Sequence, residues 1–191
     1  QLDFVRKIAN SVSEGADAIQ DALKKSTPSE VSYPKTGLAK NLEWIAKLIK
    51  GNLNSKVYYT SLGGFDTHDN QLAIHQNKLS ELNDAIFSCY SDLKKAQVLQ
   101  NTTIVVFSEF GRRVKDNGKG TDHGTAAPLF VIGGNTKGNV IGKNPNLTDL
   151  DEGDLKYQID FRSVYASLLQ QKLAFDPTRI GIKNSPLQGL F

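Results

Sequence analysis

Apolar residues recur every three to four positions at Leu2, Val5, Ile8, Ala9, Val12, Ala16, Ile19 and Leu23, which predicts an amphipathic helix over residues 1–25. Pro28, Pro34 and Gly37 mark 26–37 as a loop, and Leu38, Leu42, Ile45, Leu48 and Ile49 share one face of a second helix ending at Gly51. The pattern then changes. Residues 56–62 (KVYYTSL) are short and rich in β-branched and aromatic types, as a strand requires, and Gly63-Gly64 closes them. A long helix follows over 70–95 with Leu72, Leu79, Leu82, Ile86, Tyr90 and Leu93 as its core face. Residues 103–107 and 129–132 are near-continuous apolar runs, which suit strands buried on both faces, and the polar, Gly-rich stretch 111–124 between them reads as a loop. Residues 134–158 are irregular, with a short strand at Val140-Ile141, and Asp160 N-caps a last helix through Leu173 that turns Phe161, Val164, Tyr165, Leu168 and Leu169 inward.

Strand, helix, strand, strand, helix is the order of an α/β protein with a mostly parallel sheet and helices on both faces. Ligands of such sheets bind beyond the carboxyl ends of the strands. The residues to examine are therefore those beside each strand, and they are rich in chemistry: Gly63-Gly64-Phe65-Asp66-Thr67-His68, Ser108-Glu109-Phe110-Gly111-Arg112-Arg113, and Gly120-Thr121-Asp122-His123-Gly124.

Composition narrows the classes. The 191 residues suit a single α/β domain over 1–191, large enough to fold without disulfide or metal. One cysteine, Cys89, excludes a disulfide framework and a Cys-rich zinc module, and leaves the redox compartment open. A net charge of +3 with Lys and Arg dispersed argues against a nucleic-acid surface. No apolar run approaches the roughly 18 residues of a membrane span. The chain starts at Gln1, inside a helical pattern, and contains no Met, so it reads as a fragment or a processed chain.

Asp and His together form a mixed oxygen and nitrogen donor set, and imidazole suits Zn, Mn, Fe or Ni. Asp66 and His68 sit on one tight turn after two glycines that permit close approach of a ligand, and Asp122 and His123 are adjacent in the third stretch. Glu109 is a charged residue leaving a buried strand, which is costly unless it is paired or bound to a cation. Each has an ordinary alternative. Asp66 and Asp69 can cap the long helix, Glu109 can pair with Arg112 or Arg113, and His75 on a helix flank reads best as a solvated or packed histidine. Gly133-Gly134 and Lys137-Gly138 lack the Lys-Ser/Thr of a phosphate loop, Ser61 and Ser108 lack a nucleophile-elbow context, and Cys89 reads as a packed thiol.

The segments GGFDTHDNQ (63–71), VVFSEFGRR (105–113), GTDHGTAAPLFVIGG (120–134) and DFRSVYASLL (160–169) resemble, in the same order, the bacterial family of unknown function DUF1501, over about residues 55–175. Through that family the chain is similar to the alkaline phosphatase/sulfatase superfamily. The resemblance implies a three-layer α/β/α fold, alkaline phosphatase-like and here partial, with divalent metal, Zn or Mn, at the carboxyl ends of the sheet. By motif match Asp66 and His68 would serve one ion, and Asp122 and His123 a second. No histidine follows residue 123, so the superfamily's last ligand has no counterpart. Nor does this chain carry the segment expected to supply a further Asp and the nucleophile. The resemblance thus makes the chain the C-terminal half of a longer protein, exported to the periplasm or beyond.

The leading expectation is a metal-dependent hydrolase of a small phosphate or sulfate ester, with Glu109 and Arg112 as its catalytic candidates and Arg112 as an oxyanion contact. The rival is a non-catalytic exported binding or structural module that keeps the fold. A carbohydrate-binding protein using Trp44 and the tyrosines is a third class, weakened by the scatter of those aromatics along the chain.

Overall fold

The structure, a computed structural model, describes residues 2–191 and divides into two compact units. The first holds the chain up to Gly63 together with Asn77–Leu99, and the second holds Gly64–Gln76 and Gln100–Phe191.

The first unit is helical. It contains α1 (Leu2–Lys25), α2 (Gly37–Lys50) and most of α3 (Gln71–Lys95). Thr36 starts α2 because its side chain accepts the Ala39 N–H at 3.3 Å, and Gly51 ends it by donating to Lys47 O. A Cβ on Gly51 would lie 1.9 Å from Ala22 O, so only glycine lets α1 pass the end of α2 this closely. The core is built from small and medium side chains: Ala22, Leu38, Ala39, Leu42, Ala46, Ala85, Cys89 and Leu93. Within it Lys50 Nζ meets both oxygens of Asp92, at 2.9 and 3.0 Å, and the Tyr33 hydroxyl donates to Asp92 Oδ2 at 3.1 Å.

The predicted face of α3 is kept only toward its C-terminal end: Leu93 is buried and Leu82, Ile86 and Tyr90 are half-buried, whereas Leu72 and Leu79 are exposed, and Ala85, Ser88, Cys89 and Asp92 join the interior. A carboxylate matched by a buried ammonium can occupy the interior, and hydrophobic periodicity does not register it. Burial pushes the Cys89 thiol up to about 11. At neutral pH the native chain is therefore expected to resist a thiol-specific reagent such as DTNB and to react only on unfolding. Rapid labelling of folded protein would contradict this packing.

The helix expected over 1–25 is present as α1, and the strand expected at 56–62 is not. The apolar stripe of α1 is real, but Leu2, Val5, Ile8, Val12 and Ile19 are exposed and only Ala22 is buried. Periodicity reports that a helix has an apolar face, not what lies against it. Residues 56–62 form no strand; among the described residues no ladder pairs with them, and Val57 and Tyr59 stand in solvent. Strand composition becomes a strand only where a partner supplies hydrogen bonds and side-chain contacts.

The second unit carries β1 (Thr103–Val106), β2 (Gly111–Asp116), β3 (Thr121–Gly124), β4 (Phe130–Gly133), β5 (Leu150–Asp151), β6 (Asp154–Leu155) and α4 (Phe161–Leu173). The expected mostly parallel, three-layer sheet is not present. Among the described residues there are three separate two-stranded sheets, β1–β4, β2–β3 and β5–β6, all antiparallel, in a mixed α/β fold. Strands 103–107 and 129–132 are confirmed nearly to the residue, but they run in opposite directions, with Ile104 facing Ile132 and Val106 facing Phe130. A parallel return needs a crossover, usually helical, and the chain between β1 and β4 contains a hairpin instead. Val140-Ile141 form no strand. The short hairpin lies at β5–β6, across a two-residue turn where Glu152 (φ 48°) and Gly153 (φ 90°) both take left-handed angles.

Asp160 caps α4 as predicted, accepting the Arg162 N–H at 2.9 Å, and the Arg162 guanidinium bound to the same carboxyl holds it down at about 2. Val164, Ala166 and Ser167 are buried, while Phe161 is exposed. No helix among the described residues is long and apolar enough to cross a membrane.

Candidate metal-ligating site

The site lies wholly within the second unit and is assembled from two segments. The first is the loop 64–70 leading into α3. Gly64 takes a φ of 97°, and Thr67 N–H donates to Phe65 O at 3.0 Å, closing a tight turn. Thr67 is 7% exposed and anchors this turn, so Asp66 and His68 on either side of it project into solvent. His75, a turn into α3, places Nε2 3.0 Å from Thr67 Oγ1 and 3.2 Å from Phe65 O, with its ring edge-on to Phe65.

The second segment, read from sequence as a loop, is the β2–β3 hairpin. Asn117 Oδ1 accepts the N–H groups of Lys119 and Gly120, each at 3.0 Å, and Gly118 (φ 91°) turns the chain. The resulting register sets His123 directly opposite Arg112. Gln71, at the start of α3, accepts both the backbone N–H and the hydroxyl of Thr121 and so ties the hairpin to the loop. A Cβ at Gly120 would fall 2.6 Å from Gln71 Oε1 and 2.9 Å from its Cβ, so a side chain there would displace the Gln71 side chain.

This framework brings Asp66, His68 and His123 together, with one donor atom from each within 4.8 Å of the others. Asp66 Oδ1 is shared: it lies 2.8 Å from His123 Nε2 and 3.4 Å from His68 Nδ1. The two imidazoles are 5.1 Å apart, and the Phe110 ring stacks on His123 at 4.1 Å and 10°. All three side chains keep between 42% and 67% of their surface in solvent. Donors bound tetrahedrally at about 2.0–2.1 Å from an ion stand about 3.3 Å from one another. The Asp66–His68 separation of 3.4 Å matches that edge, the Asp66–His123 separation of 2.8 Å is that of a hydrogen bond, and the remaining pair lies within 4.8 Å.

The other expected site residues fall elsewhere. Asp122 does not join the cluster. It neighbours His123 on β3, where successive side chains point to opposite faces, and its Oδ1 accepts from Asn117 at 3.2 Å. His123 is therefore grouped with Asp66 and His68, not with Asp122 at a second centre. Glu109 is exposed between β1 and β2 and makes no ion pair among the described residues; Arg113 pairs with Asp154 instead, at 3.4 Å. Arg112 turns into the protein. Its terminal nitrogens donate to Thr121 O at 2.7 Å, to Thr67 Oγ1 at 3.2 Å and to Phe65 O, and Nε is buried.

Thr67, Gln71 and Phe110 were not singled out from the sequence. The signal that finds them is the hairpin: residues 111–116 and 121–124 flank Asn117-Gly118-Lys119-Gly120, a run of turn formers, and hairpin pairing puts Arg112 beside His123. Compared with known families, residues 54–181 match the model described as "Protein of unknown function (DUF1501)". No curated protein and no solved structure matches the chain.

Proposed function

The chain belongs to the DUF1501 family, and because that family's function is unknown, we propose from its own geometry that Asp66, His68 and His123 form a divalent-metal centre serving the hydrolysis of a phosphate or sulfate ester. The observation that carries this reading is the convergence of one carboxylate and two imidazoles from segments 57 residues apart. The ester class rests on the motif resemblance to alkaline phosphatase-like enzymes. A bound Zn or Mn would polarise the ester and acidify a coordinated water. The protein's own part is to aim three donors at one point. Asp66 supplies the negative charge, the histidines supply neutral nitrogens, and the exposure of all three leaves an ester free access.

Adding Mn or Zn is expected to raise the melting temperature by about 3–6 °C at a concentration tenfold above Kd, since the ion binds only the folded state. His123→Ala should abolish the shift and Asp122→Ala should leave it, because only His123 reaches the cluster. An equal loss in both variants, or no shift in the native chain, would overturn the assignment. Turnover of an aryl phosphate or sulfate by the 191-residue chain should be weak, metal-dependent and absent in His123→Ala.

One observation favours the rival, a non-catalytic binding module. Thr67, the hydroxyl between the two loop ligands, is buried and engaged by Arg112 and His75 and cannot attack a substrate. Metal binding without metal-dependent turnover would select that reading.

A further inference from the structure

We infer that Arg112 and Phe110 form a brace that sets the geometry of the Asp66–His68–His123 cluster, which makes Arg112 a positioning residue and not a contact to substrate. The inference rests on the metal-site reading and extends it to the residues that hold the ligands still.

Arg112 reaches both segments of the site. Its NH2 group donates to Phe65 O and to Thr67 Oγ1, and these two residues flank Asp66. Its NH1 group donates to Thr121 O, two residues before His123 on β3. The guanidinium carbon lies 5.3 Å from the centre of the Phe110 ring, and that ring is stacked on His123 at 4.1 Å with the planes 10° apart. One side chain thus fixes the turn bearing Asp66 and His68, the strand bearing His123, and the ring that sets the plane of the His123 imidazole. NH2 spends both its hydrogens on Phe65 O and Thr67 Oγ1, NH1 donates to Thr121 O, and Nε is buried without a partner, so the fork is turned to the protein's own acceptors.

The chemistry explains why such a brace is needed. Asp66 and His68 keep more than half of their side-chain surface in solvent and His123 keeps 42%, so the Phe110 ring is the main packing contact that restricts the His123 rotamer. An imidazole free to turn about its χ2 angle points Nε2 at Asp66 only part of the time. A parallel aromatic face removes that freedom, and a rigid, planar, five-donor guanidinium is the side chain able to bond three acceptors on two segments at once. Lysine keeps the charge but cannot span them.

The test uses the whole chain with Co(II) as the probe, read by its visible absorption, alongside NMR of the imidazole nitrogens in the metal-free protein. Phe110→Leu and Arg112→Lys are expected to weaken Co(II) binding about 10- to 100-fold, as loss of ligand-supporting contacts does, and to alter the Co(II) spectrum. Phe110→Tyr keeps the ring and should match the native protein. Without metal, native His123 should show Nε2 bonded to a carboxylate, and Phe110→Leu should lose that signature while circular dichroism remains native. Native-like affinity and spectrum in both Phe110→Leu and Arg112→Lys would overturn the brace. If the native chain binds no Co(II), the metal reading fails, and the metal-free His123 signal then decides the brace: its persistence in Phe110→Leu overturns it, its loss supports it. Should Arg112→Lys fail to fold, Phe110→Leu against Phe110→Tyr gives the same decision.

Discussion

Asp92→Ala is expected to destabilise the protein by about 3–5 kcal/mol, the usual cost of breaking a buried ion pair from one side. Lys50 and Asp92 keep only 2% and 4% of their side-chain surface in solvent, and the ammonium meets both carboxylate oxygens. Removing the carboxylate leaves a nearly fully buried ammonium without its counter-charge. The Tyr33 hydroxyl loses its acceptor in the same step. Burial, with Cys89 and Asp92 nearby, already holds that hydroxyl far above the ordinary phenol range, so it stays a neutral donor at any working pH. Against a typical total stability of about 5–15 kcal/mol, this loss is enough to leave a substantial unfolded population at 37 °C. The double variant Lys50→Met/Asp92→Leu should recover most of the loss, because an apolar pair of similar volume avoids the desolvation that the ion pair must overcome. Urea melts of the two single variants and the double variant measure the coupling. A single-variant loss below about 1 kcal/mol would mean that water reaches the pair.

The elements visible in the sequence are those whose stabilising interactions are local. Helices 2–25, 37–50, 71–95 and 161–173 carry their period within themselves, with caps at Thr36 and Asp160 for two of them, and the apolar runs at 103–106 and 130–133 carry enough β-branched residues to form strands in any pairing. What could not be read was decided by partners distant in the chain. Strand direction depends on the connection between strands, and the turn formers at 117–120 make that connection a hairpin, which turns the expected parallel sheet into antiparallel pairs. Residues 56–62 have strand composition without a strand to join. The candidate site follows the same rule. Asp66, His68 and His123 stand out in the sequence as candidate donors because Asp and His beside glycines are conspicuous, although the motif match pairs His123 with Asp122. The exclusion of Asp122 was not, because it depends on which face of β3 each side chain takes, and that is set by the register opposite Arg112. Arg112 itself looked like an anion contact because its guanidinium suits phosphate; the same fork suits three backbone and hydroxyl acceptors, and only the fold shows which it meets.

The second large effect is expected at Gly111, which stands between Phe110 and Arg112 at the start of β2. It faces Gly124 across the hairpin, and a Cβ there would lie 1.8 Å from Ala126 O and 2.5 Å from its carbonyl carbon. Those atoms are backbone, so the clash cannot be relieved by a side chain swinging away; the strand or the 126 segment has to move by more than 1 Å. Over-packing of this kind costs about 1–3 kcal/mol and more where the backbone must shift. Gly111→Ala is therefore expected to lose at least about 3 kcal/mol in urea denaturation. Gly63→Ala, where nothing lies within 4 Å of the added carbon and no left-handed φ is needed, should stay within about 0.5 kcal/mol. The two variants differ in a second way. Displacing residue 111 moves both halves of the brace, Phe110 and Arg112, so even the folded fraction of Gly111→Ala should bind Mn or Zn at least tenfold more weakly. Gly63 precedes the tight turn and a Cβ there meets nothing within 4 Å, so metal binding in Gly63→Ala should be native. Equal stability of the two variants would show that the 126 segment yields freely. Native metal affinity in a measurably destabilised Gly111→Ala would show that the ligands do not depend on where β2 begins.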